Sequence, residues 1–245
     1  MEQEYLDRIV DKELDVMLKT FGAVLIEGPK WCGKTRTAEE RAASRIYLQD
    51  VRMREHYLKA AKTAPDTLLK GDPPRLIDEW QTIPILWDGV RFEVDKRKER
   101  GQFILTGSAV PADNVTMHTG TGRIARLLMR PMSLFESLES DGSVSLASIF
   151  NNEPIEGTSA LTIEELAFAL VRGGWPGSIA DEGKEGLRHA REYVKAVVNY
   201  DISRVDGVEK NPLRVLRIMH SLARNVSSMA KLNTIIVTKQ TYLNY

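Results

Sequence analysis

Residues 28–35 read Gly-Pro-Lys-Trp-Cys-Gly-Lys-Thr, and this stretch decides the fold. It fits the pattern G-x-x-x-x-G-K-[ST], in which the backbone N–H groups of a tight loop surround the phosphates of a nucleotide. An apolar run of strand length, residues 23–26, comes directly before it, and residues 35–43 after it favour a helix. A loop that joins a buried strand to a helix N-terminus suits this pattern, because the helix end adds partial positive charge that attracts an anion. The stretch therefore predicts a phosphate-binding loop.

The residue types inside the loop indicate how it would hold a nucleoside triphosphate and a magnesium ion. Gly28 and Gly33 permit close backbone approaches that a Cβ would block. Lys34 is expected to reach the β- and γ-phosphates, and the hydroxyl of Thr35 to ligate Mg²⁺. We predict that the loop and the residue after it contact the nucleotide: Gly28, Pro29, Lys30, Trp31, Cys32, Gly33, Lys34, Thr35 and Arg36.

A second feature of the sequence is a pair of carboxylates. Leu76 and Ile77 form a short apolar strand that ends in Asp78 and Glu79. An acid at the carboxyl end of a strand beside a phosphate loop can hold the magnesium shell, so we predict Thr35 and Asp78 as metal ligands. Glu79 would align or deprotonate the water that attacks the γ-phosphate, as a general base. The alternative for both acids is a solvated turn at the surface.

A later apolar strand, residues 103–105, leaves small polar residues at its tip. Because the strand tips of a parallel sheet share one edge, Thr106 or Ser108 could face the γ-phosphate or the attacking water. The alternative is a strand-ending turn whose hydroxyls bind local backbone groups. Arg123 and Arg126 follow, and either could stabilise charge on the γ-phosphate, in the same subunit or from a neighbour. A salt bridge or a solvated arginine is the alternative for both.

Composition and charge limit the classes of protein to which the chain can belong. The chain has 245 residues, 42% hydrophobic and 28% charged, which suits one large domain or one domain with a smaller appendage. The formal net charge is +0, so the overall balance does not indicate nucleic acid or an anionic membrane as a partner. No apolar run approaches the roughly 20 residues that span a bilayer, and the acidic N-terminus is unlike a signal peptide. We expect a cytoplasmic protein without a membrane segment.

The single cysteine, Cys32, lies inside the loop. One thiol excludes an internal disulfide and fits a reducing compartment. A helix N-terminus lowers the pKa of a nearby thiol. We therefore hypothesise that oxidation or alkylation of Cys32 blocks nucleotide binding.

These motifs together resemble those of the AAA-type P-loop ATPases of bacteria and archaea that carry a C-terminal domain of unknown function. The matching pieces are the loop at 28–35, Leu-Ile-Asp-Glu-Trp-Gln at 76–81, the strand and turn at 103–108, Gly-Arg at 122–123, Pro-Met-Ser-Leu-Phe-Glu at 131–136 and Arg-Gly-Gly-Trp-Pro-Gly at 172–177. The resemblance implies an α/β, three-layer P-loop NTPase core with a mostly parallel sheet, in which an inserted strand separates the Asp-Glu strand from the loop strand. It also implies ATP and Mg²⁺ as bound cofactors, but no particular substrate.

The resemblance also suggests a domain organisation. Residues 1–140 would form the ATPase core, 141–160 a connection rich in Ser, Asn and Gly, and 161–245 an all-helical region with a partial winged-helix-like end. Members of the family usually run well past 245 residues, so the C-terminal region is interpreted as truncated. Basic residues recur on its helices, and they form either a face that meets DNA or, as we prefer, a solvated helical face.

We therefore expect a protein that binds ATP and acts as an ATPase. Its Mg-dependent hydrolysis would be coupled to a conformational change of the C-terminal region. The catalytic set would be Glu79, Asp78, Ser108 and Arg123. Two alternatives remain: a nucleotide-gated DNA-binding or regulatory module with little hydrolysis, and a P-loop kinase for a small molecule. The expected partners besides ATP are a protein or DNA bound through the C-terminal helices, and a second copy of the chain in a homo-oligomer.

Overall fold

A parallel sheet forms the centre of the computed structural model, which describes residues 4–107, 120–204 and 207–238. Within these ranges its five strands are β1 (Ala23–Glu27), β2 (Ser44–Tyr47), β3 (Arg75–Asp78), β4 (Phe103–Gly107) and β5 (Ile124–Leu128). They lie in the order β2-β3-β4-β1-β5, and every pairing is parallel. Strand β4 therefore separates the loop strand β1 from the acid strand β3, which confirms the predicted sheet with its inserted strand.

Helices cover the sheet and continue to the C-terminal region. Those of the first 100 residues are α1 (Ile9–Thr20), α2 (Lys34–Glu39), α3 (Arg54–Thr63) and α4 (Ile85–Arg97). Later in the chain come α5 (Leu146–Phe150), α6 (Ile163–Arg172), α7 (Gly183–Ala196), α8 (Ile202–Arg204), α9 (Pro212–Asn225) and α10 (Leu232–Thr238). Short 3₁₀ turns occur at Pro65–Leu69, Trp80–Thr82 and Pro176–Ser178, and a π-helical turn at Val197–Asp201 joins α7 to α8.

The sheet has an apolar core on each face. Leu25 packs in one core with Trp87 of α4, whereas Val24 and Ile26 pack in the other with Leu14 of α1. Successive side chains of a strand point to opposite faces, and residues 23–26 of β1 are buried on both, which explains why this stretch is apolar without interruption. This arrangement gives the predicted three layers of helix, sheet and helix.

Apolar residues recur at helical spacing from Leu6 to Leu18 and predict an amphipathic helix over residues 2–20, but α1 begins later. It begins at Ile9, because Arg8 has extended backbone angles (φ −105°, ψ 145°) and its N–H donates to the Asp11 carboxylate at 2.8 Å. Residues 4–8 therefore run outside the helix. By contrast, Thr162 with Glu165 three residues later predicts a capping box at the start of α6, and the structure confirms it. The Glu165 N–H donates to Thr162 Oγ1 at 3.2 Å, and the Thr162 N–H donates to Glu165 Oε2 at 2.8 Å.

The chain divides into two compact units, Met1–Gly186 and Leu187–Tyr245. In the structure, the residues up to Gly186 belong to the same compact unit as the sheet. The division predicted from the sequence instead begins the helical region at residue 161. In the second unit, α9 and α10 are joined by a hydrogen bond from Ser221 Oγ to the Ile235 carbonyl at 2.7 Å. None of the helices described is both long and apolar enough to cross a membrane.

Candidate functional site

The loop at 28–35 leaves β1 at Gly28 and enters α2 at Lys34. A Cβ on Gly28 would lie 2.2 Å from the carbonyl oxygen of Met129, which follows β5, so this approach excludes any side chain. Gly33 has a φ of +100°, a conformation that favours glycine at the N-cap of α2. The two glycines therefore serve the loop geometry that the sequence pattern predicts.

The ammonium of Lys34 is held by the backbone at the start of the loop. Its Nζ donates to the carbonyl oxygens of Gly28 at 3.0 Å and Pro29 at 2.9 Å, and the residue is only 5% exposed. An ammonium has three hydrogens to donate, so these two carbonyls use two of them. The arrangement fixes a positive charge in the loop, where an anion would be bound.

A buried carboxylate meets the loop at the carboxyl edge of the sheet. Thr35 Oγ1, at the start of α2, donates to Asp78 Oδ1 at 2.7 Å. Thr106 Oγ1, near the end of β4, donates to the same oxygen at 2.7 Å and accepts the Glu79 N–H at 3.0 Å. The structure therefore brings together the two predicted metal ligands, Thr35 and Asp78. Thr106 contacts the carboxylate itself, so its hydroxyl serves Asp78 and the Glu79 backbone.

The oxygen atoms of Thr35 and Asp78 suit a magnesium ion. Mg²⁺ prefers oxygen ligands and is commonly held by one or two carboxylates together with water and substrate phosphates. In the described ranges there is no group of three or more His, Cys, Asp or Glu side chains that could hold a metal alone. A hydroxyl and one carboxylate beside a phosphate loop fit an ion that arrives with the nucleotide.

Glu79 stands at the tip of β3 in an uncommon backbone conformation. Its φ of 54° and ψ of 51° lie in the left-handed region, which costs free energy for a residue other than glycine. Its carboxylate accepts a hydrogen bond from Gln81 Nε2. Gln81 belongs to the quoted motif at 76–81, but the sequence assigned no role to it. The predicted base therefore lies next to Asp78, with its carboxylate oriented by Gln81.

The predicted arginine does not join this cluster. Arg123 precedes β5 at the opposite, amino edge of the sheet, where its carbonyl accepts the Ala23 N–H at 3.1 Å. Its Nε pairs with Asp95 of α4 at 2.9 Å, as the salt-bridge alternative predicted. Arg126 pairs with Glu27 at 2.6 Å and lies over the ring of Trp87. Within one chain, Arg123 is therefore not brought to the loop, and Ser108 lies outside the described residues.

The burial of Cys32 contradicts the expectation that its thiol has a lowered pKa. The side chain is 0% exposed, and its Sγ lies 3.8 Å from the Met129 carbonyl oxygen. Burial raises the pKa of the thiol above its usual value and outweighs the positive charges of Lys34 and Arg8, which lower it. A buried thiol with a raised pKa is poorly reactive. The hypothesis of a reactive Cys32 therefore loses its physical basis.

The remaining loop residues predicted to bind nucleotide differ in placement. Lys30 and Trp31 are exposed, and Trp31 has a φ of 66° and is 63% exposed. Arg36 points along α2 and pairs with Glu40 at 2.8 Å. Lys30 and Trp31 thus present their side chains to the surface, whereas Arg36 lines a cavity beside the loop.

This cavity has a volume of about 380 Å³ and adjoins Gly33. Its other walls include Tyr5, Leu6, Thr37, Met132 and Pro176. The Tyr5 hydroxyl donates to Asp11 and shares a hydrogen bond of 3.0 Å with Thr37 Oγ1. Burial of the ring raises the pKa of Tyr5 to about 12, so the phenol stays neutral. The volume falls in the range of pockets for small organic ligands.

The motif at 172–177 supplies one wall of the cavity. The Met132 N–H donates to the Gly174 carbonyl at 2.6 Å, and a Cβ on Gly174 would lie 2.0 Å from the Met132 carbonyl oxygen. Only a glycine allows this approach, which places Pro176 next to the loop. A pair of charged groups, Arg172 and Glu139, joins the same segments at 2.8 Å.

Two buried charged residues at the loop had no role in the sequence-based interpretation. Arg8 donates to the carbonyl oxygens of Cys32 at 2.7 Å and Arg130 at 2.8 Å, and to Glu136 Oε1 at 3.0 Å. Arg8 and Glu136 are 6% and 7% exposed. The available signal was an arginine next to Asp7 in a stretch, residues 5–10, whose other members are apolar or aromatic, together with the glutamate that ends the quoted motif at 131–136.

The way in which the acid reaches the loop defines the class of protein. One strand, β4, lies between the loop strand β1 and the strand β3 that ends in Asp78. The hydrogen bond from Thr35 to Asp78 nevertheless forms, because α2 packs across β4. A loop threonine that meets a strand-end carboxylate across an inserted strand is the arrangement that the resemblance to AAA-type P-loop ATPases implies.

Comparison with protein families specifies the family. Residues 20–138 match the family model of an AAA domain, and residues 163–245 match that of a domain of unknown function. The chain therefore combines an AAA domain with a C-terminal domain of unknown function, as its motifs predicted. The AAA domain supports an ATP-binding function. No curated protein matches the chain.

One solved structure agrees with this assignment at the level of the fold. A Walker-type ATPase of Pyrococcus abyssi is 15% identical, with a TM-score of 0.51 over 98% of this chain and 90% of that one. A signal transduction ATPase with numerous domains and a tetratricopeptide repeat sensor, from Pyrococcus horikoshii, is 14% identical, with a TM-score of 0.36 over 97% of this chain and 40% of that one. At such identities the first similarity shows a shared fold and nothing finer.

Proposed function

We propose that the protein binds ATP with Mg²⁺ and hydrolyses the bond to the γ-phosphate. The observation that carries the proposal is the contact between Thr35 and Asp78 at 2.7 Å, with the Lys34 ammonium held in the same loop. A positive charge, a helix N-terminus and two metal-binding oxygens converge there, as phosphoryl transfer requires.

Each residue of the cluster has a role in this proposal. Lys34 and the loop amides hold the phosphates, and the oxygens of Thr35 and Asp78 hold Mg²⁺, which would neutralise developing charge. Thr106 keeps Asp78 in place through its 2.7 Å hydrogen bond. Glu79 aligns a water for in-line attack on the γ-phosphate and accepts its proton.

The base and ribose would occupy the cavity beside Gly33. A cavity of about 380 Å³ is large enough for a nucleoside, and it opens at the loop that would hold the phosphates. Tyr5 offers an aromatic surface against which a base can stack. A nucleotide would thus lie along the N-terminus of α2, and the cytoplasm, which contains ATP, is the proposed location.

Steady-state phosphate release and MgATP binding test the proposal together. Lys34→Ala should weaken MgATP binding by at least about tenfold, since a charge-assisted contact to the phosphates is lost. Glu79→Gln should retain binding but lower turnover by about 10²- to 10⁴-fold, as expected when a general base is removed. The exposed α3 substitutions Lys62→Ala and Glu55→Gln are matched controls for the two changes of charge. Equal turnover of Glu79→Gln and wild type would refute the assigned base.

The C-terminal helices are the proposed site of coupling to a partner. In α9, Leu213, Ile218 and Leu222 are exposed apolar side chains, which favours a protein surface as the partner over DNA. The alternative, nucleotide-gated DNA binding with little hydrolysis, requires an affinity that falls steeply with salt. Titration of labelled duplex DNA at 50 and 200 mM salt, with and without MgATP, separates the two. Sedimentation of the same samples measures whether nucleotide drives the proposed homo-oligomer.

Phosphate release measured with and without small-molecule acceptors tests the remaining alternative, a P-loop kinase. Release that occurs without an acceptor favours hydrolysis, whereas transfer to an acceptor would replace the ATPase proposal.

A further inference from the structure

We propose that Arg8 is a positioning residue that aims the backbone N–H of Gly33 at the bound phosphates, and that Glu136 holds Arg8 in this position. The inference rests on the proposed function, because it assigns a role within the same nucleotide site. Neither residue lies in the loop, and neither touches the metal-binding cluster of Thr35 and Asp78.

Arg8 connects three segments that are distant in sequence. Its guanidinium donates to Cys32 of the loop at 2.7 Å, to Arg130 after β5 at 2.8 Å and to Glu136 at 3.0 Å. It also lies close against the loop, since a Cβ on Gly33 would approach Arg8 Nη1 to 3.1 Å. A planar guanidinium with donors in a rigid fork suits this task, because it serves three acceptors without rearrangement.

The contact with Cys32 determines the orientation of one peptide group. Arg8 Nη1 donates to the Cys32 carbonyl oxygen at 2.7 Å, so this oxygen points towards Arg8. In a planar trans peptide the C=O and the following N–H point in opposite directions. The N–H of Gly33 is therefore directed away from Arg8, which is where the proposal places the bound phosphates. Without Arg8 this peptide could rotate, and the loop would lose one donor for a phosphate.

Glu136 anchors the guanidinium. Its Oε1 accepts from Arg8 and from the Ile9 N–H at 2.8 Å, and its Oε2 accepts from Ser133 N at 2.7 Å and Ser133 Oγ at 2.9 Å. Burial raises the pKa of this carboxyl, but hydrogen bonds from Ser133 and Ile9 and the charge of Arg8 outweigh burial and hold its pKa below the usual value. Glu136 therefore stays ionised.

The total charge of Arg8 and Glu136 is zero, which indicates how Arg8 would affect phosphate binding. Since Glu136 balances the guanidinium, Arg8 acts through the direction of a peptide group and contributes little net attraction for anions. The effect should then appear with any chain of phosphates, whether or not it carries a nucleoside. Mg-tripolyphosphate, which lacks a base, is for that reason the probe.

The experiment measures dissociation constants for Mg-tripolyphosphate and MgATP by calorimetry in wild type, Arg8→Gln, Arg8→Lys and Arg41→Gln, well below each melting temperature. Arg8→Gln should weaken both ligands by about 10- to 100-fold, the loss expected for a charge-assisted hydrogen bond. Arg8→Lys should recover part of the affinity, because an ammonium can still reach the Cys32 carbonyl. Arg41 pairs with Asp11 and Asp15 at 3.3 and 3.1 Å and so anchors α1 without touching the loop, which makes Arg41→Gln the matched control.

The outcomes separate this inference from the proposed function. If wild type binds neither ligand, the proposed function fails. If wild type binds and Arg8→Gln binds equally well, or loses no more than Arg41→Gln, only the inference is overturned. The Gly33 amide provides a test in wild type that does not depend on a folded variant. Its ¹H NMR signal should move downfield when Mg-tripolyphosphate binds, and an unchanged signal at saturation overturns the inference.

Discussion

Thr106→Val tests how strongly the buried carboxylate depends on its neighbour in β4. Valine has the shape of threonine but lacks the hydroxyl, which is 0% exposed and joins two partners. The change removes the 2.7 Å hydrogen bond to Asp78 and the 3.0 Å hydrogen bond from the Glu79 N–H. The substitution therefore isolates these two interactions with little change in packing.

The magnitude follows from the two lost partners. A hydrogen bond to a charged group contributes about 1.5–3 kcal/mol, and a fully buried N–H left without an acceptor costs about 1–3 kcal/mol. The Glu79 N–H is only partly buried, so its cost lies towards the lower end of that range. The added methyl group of valine offsets part of the loss through apolar burial. We expect the free energy of unfolding to fall by about 2–4 kcal/mol.

Urea denaturation followed by tryptophan fluorescence, to which the buried Trp80 and Trp87 contribute, measures this change in the unit that contains the sheet. Thr20→Val is the control, because Thr20 is exposed and its hydroxyl donates only to the Val16 carbonyl of its own helix. It should lower the free energy of unfolding by less than about 0.5 kcal/mol. A Thr106→Val protein as stable as Thr20→Val would refute the role given to the hydroxyl.

Three further predictions concern the loop and its supports. Iodoacetamide should modify Cys32 at least about tenfold more slowly in the folded protein than in denaturant, because burial raises the pKa of the thiol; equal rates by mass spectrometry would contradict this. Glu136→Gln should lower stability near neutral pH. Because the pKa of Glu136 is lower folded than unfolded, the ionised carboxylate's contribution is fully present above the unfolded pKa of about 4.3 and is lost as pH falls through the folded value. The urea midpoint of wild type should therefore exceed that of Glu136→Gln by less in acid than at neutral pH. A difference in midpoints that stays constant down to pH 3 would argue against an ionised Glu136. Gly28→Ala should destabilise the protein by about 1–3 kcal/mol, because its Cβ meets the Met129 carbonyl oxygen at 2.2 Å; an unchanged melting temperature by calorimetry would contradict this.

The parts of the site that sequence could predict are those encoded by local pattern. The loop at 28–35 and the strand that ends in Asp78 can each be recognised from a few consecutive residues. Their contact follows from a general property of parallel sheets, in which strand tips share one edge. The three-layer fold was predictable for the same reason, since uninterrupted apolar strands such as 23–26 require cover on both faces.

What sequence could not predict depends on direction and distant packing. Arg123 follows the β4 tip in sequence, but β5 is parallel to β1, so the start of β5 lies at the edge opposite the loop. Arg8 reads as part of an amphipathic helix, and its partner Glu136 is 128 residues away. The pKa of Cys32 was inferred from the helix end alone, whereas packing against the segment after β5 decides it. Each error came from a tertiary contact that no short pattern contains.

The exposed indole of Trp31 provides a built-in optical reporter for this loop. The indoles of Trp80 and Trp87 are 0% and 1% exposed, against 63% for Trp31, so an aqueous quencher such as iodide would reach Trp31 well before those two. A ligand bound at the loop would shield the Trp31 ring and lower the fraction of the tryptophan fluorescence that iodide can quench. Occupancy could then be followed in the native, unlabelled chain, and the contribution of Trp31 identified by substituting that tryptophan alone.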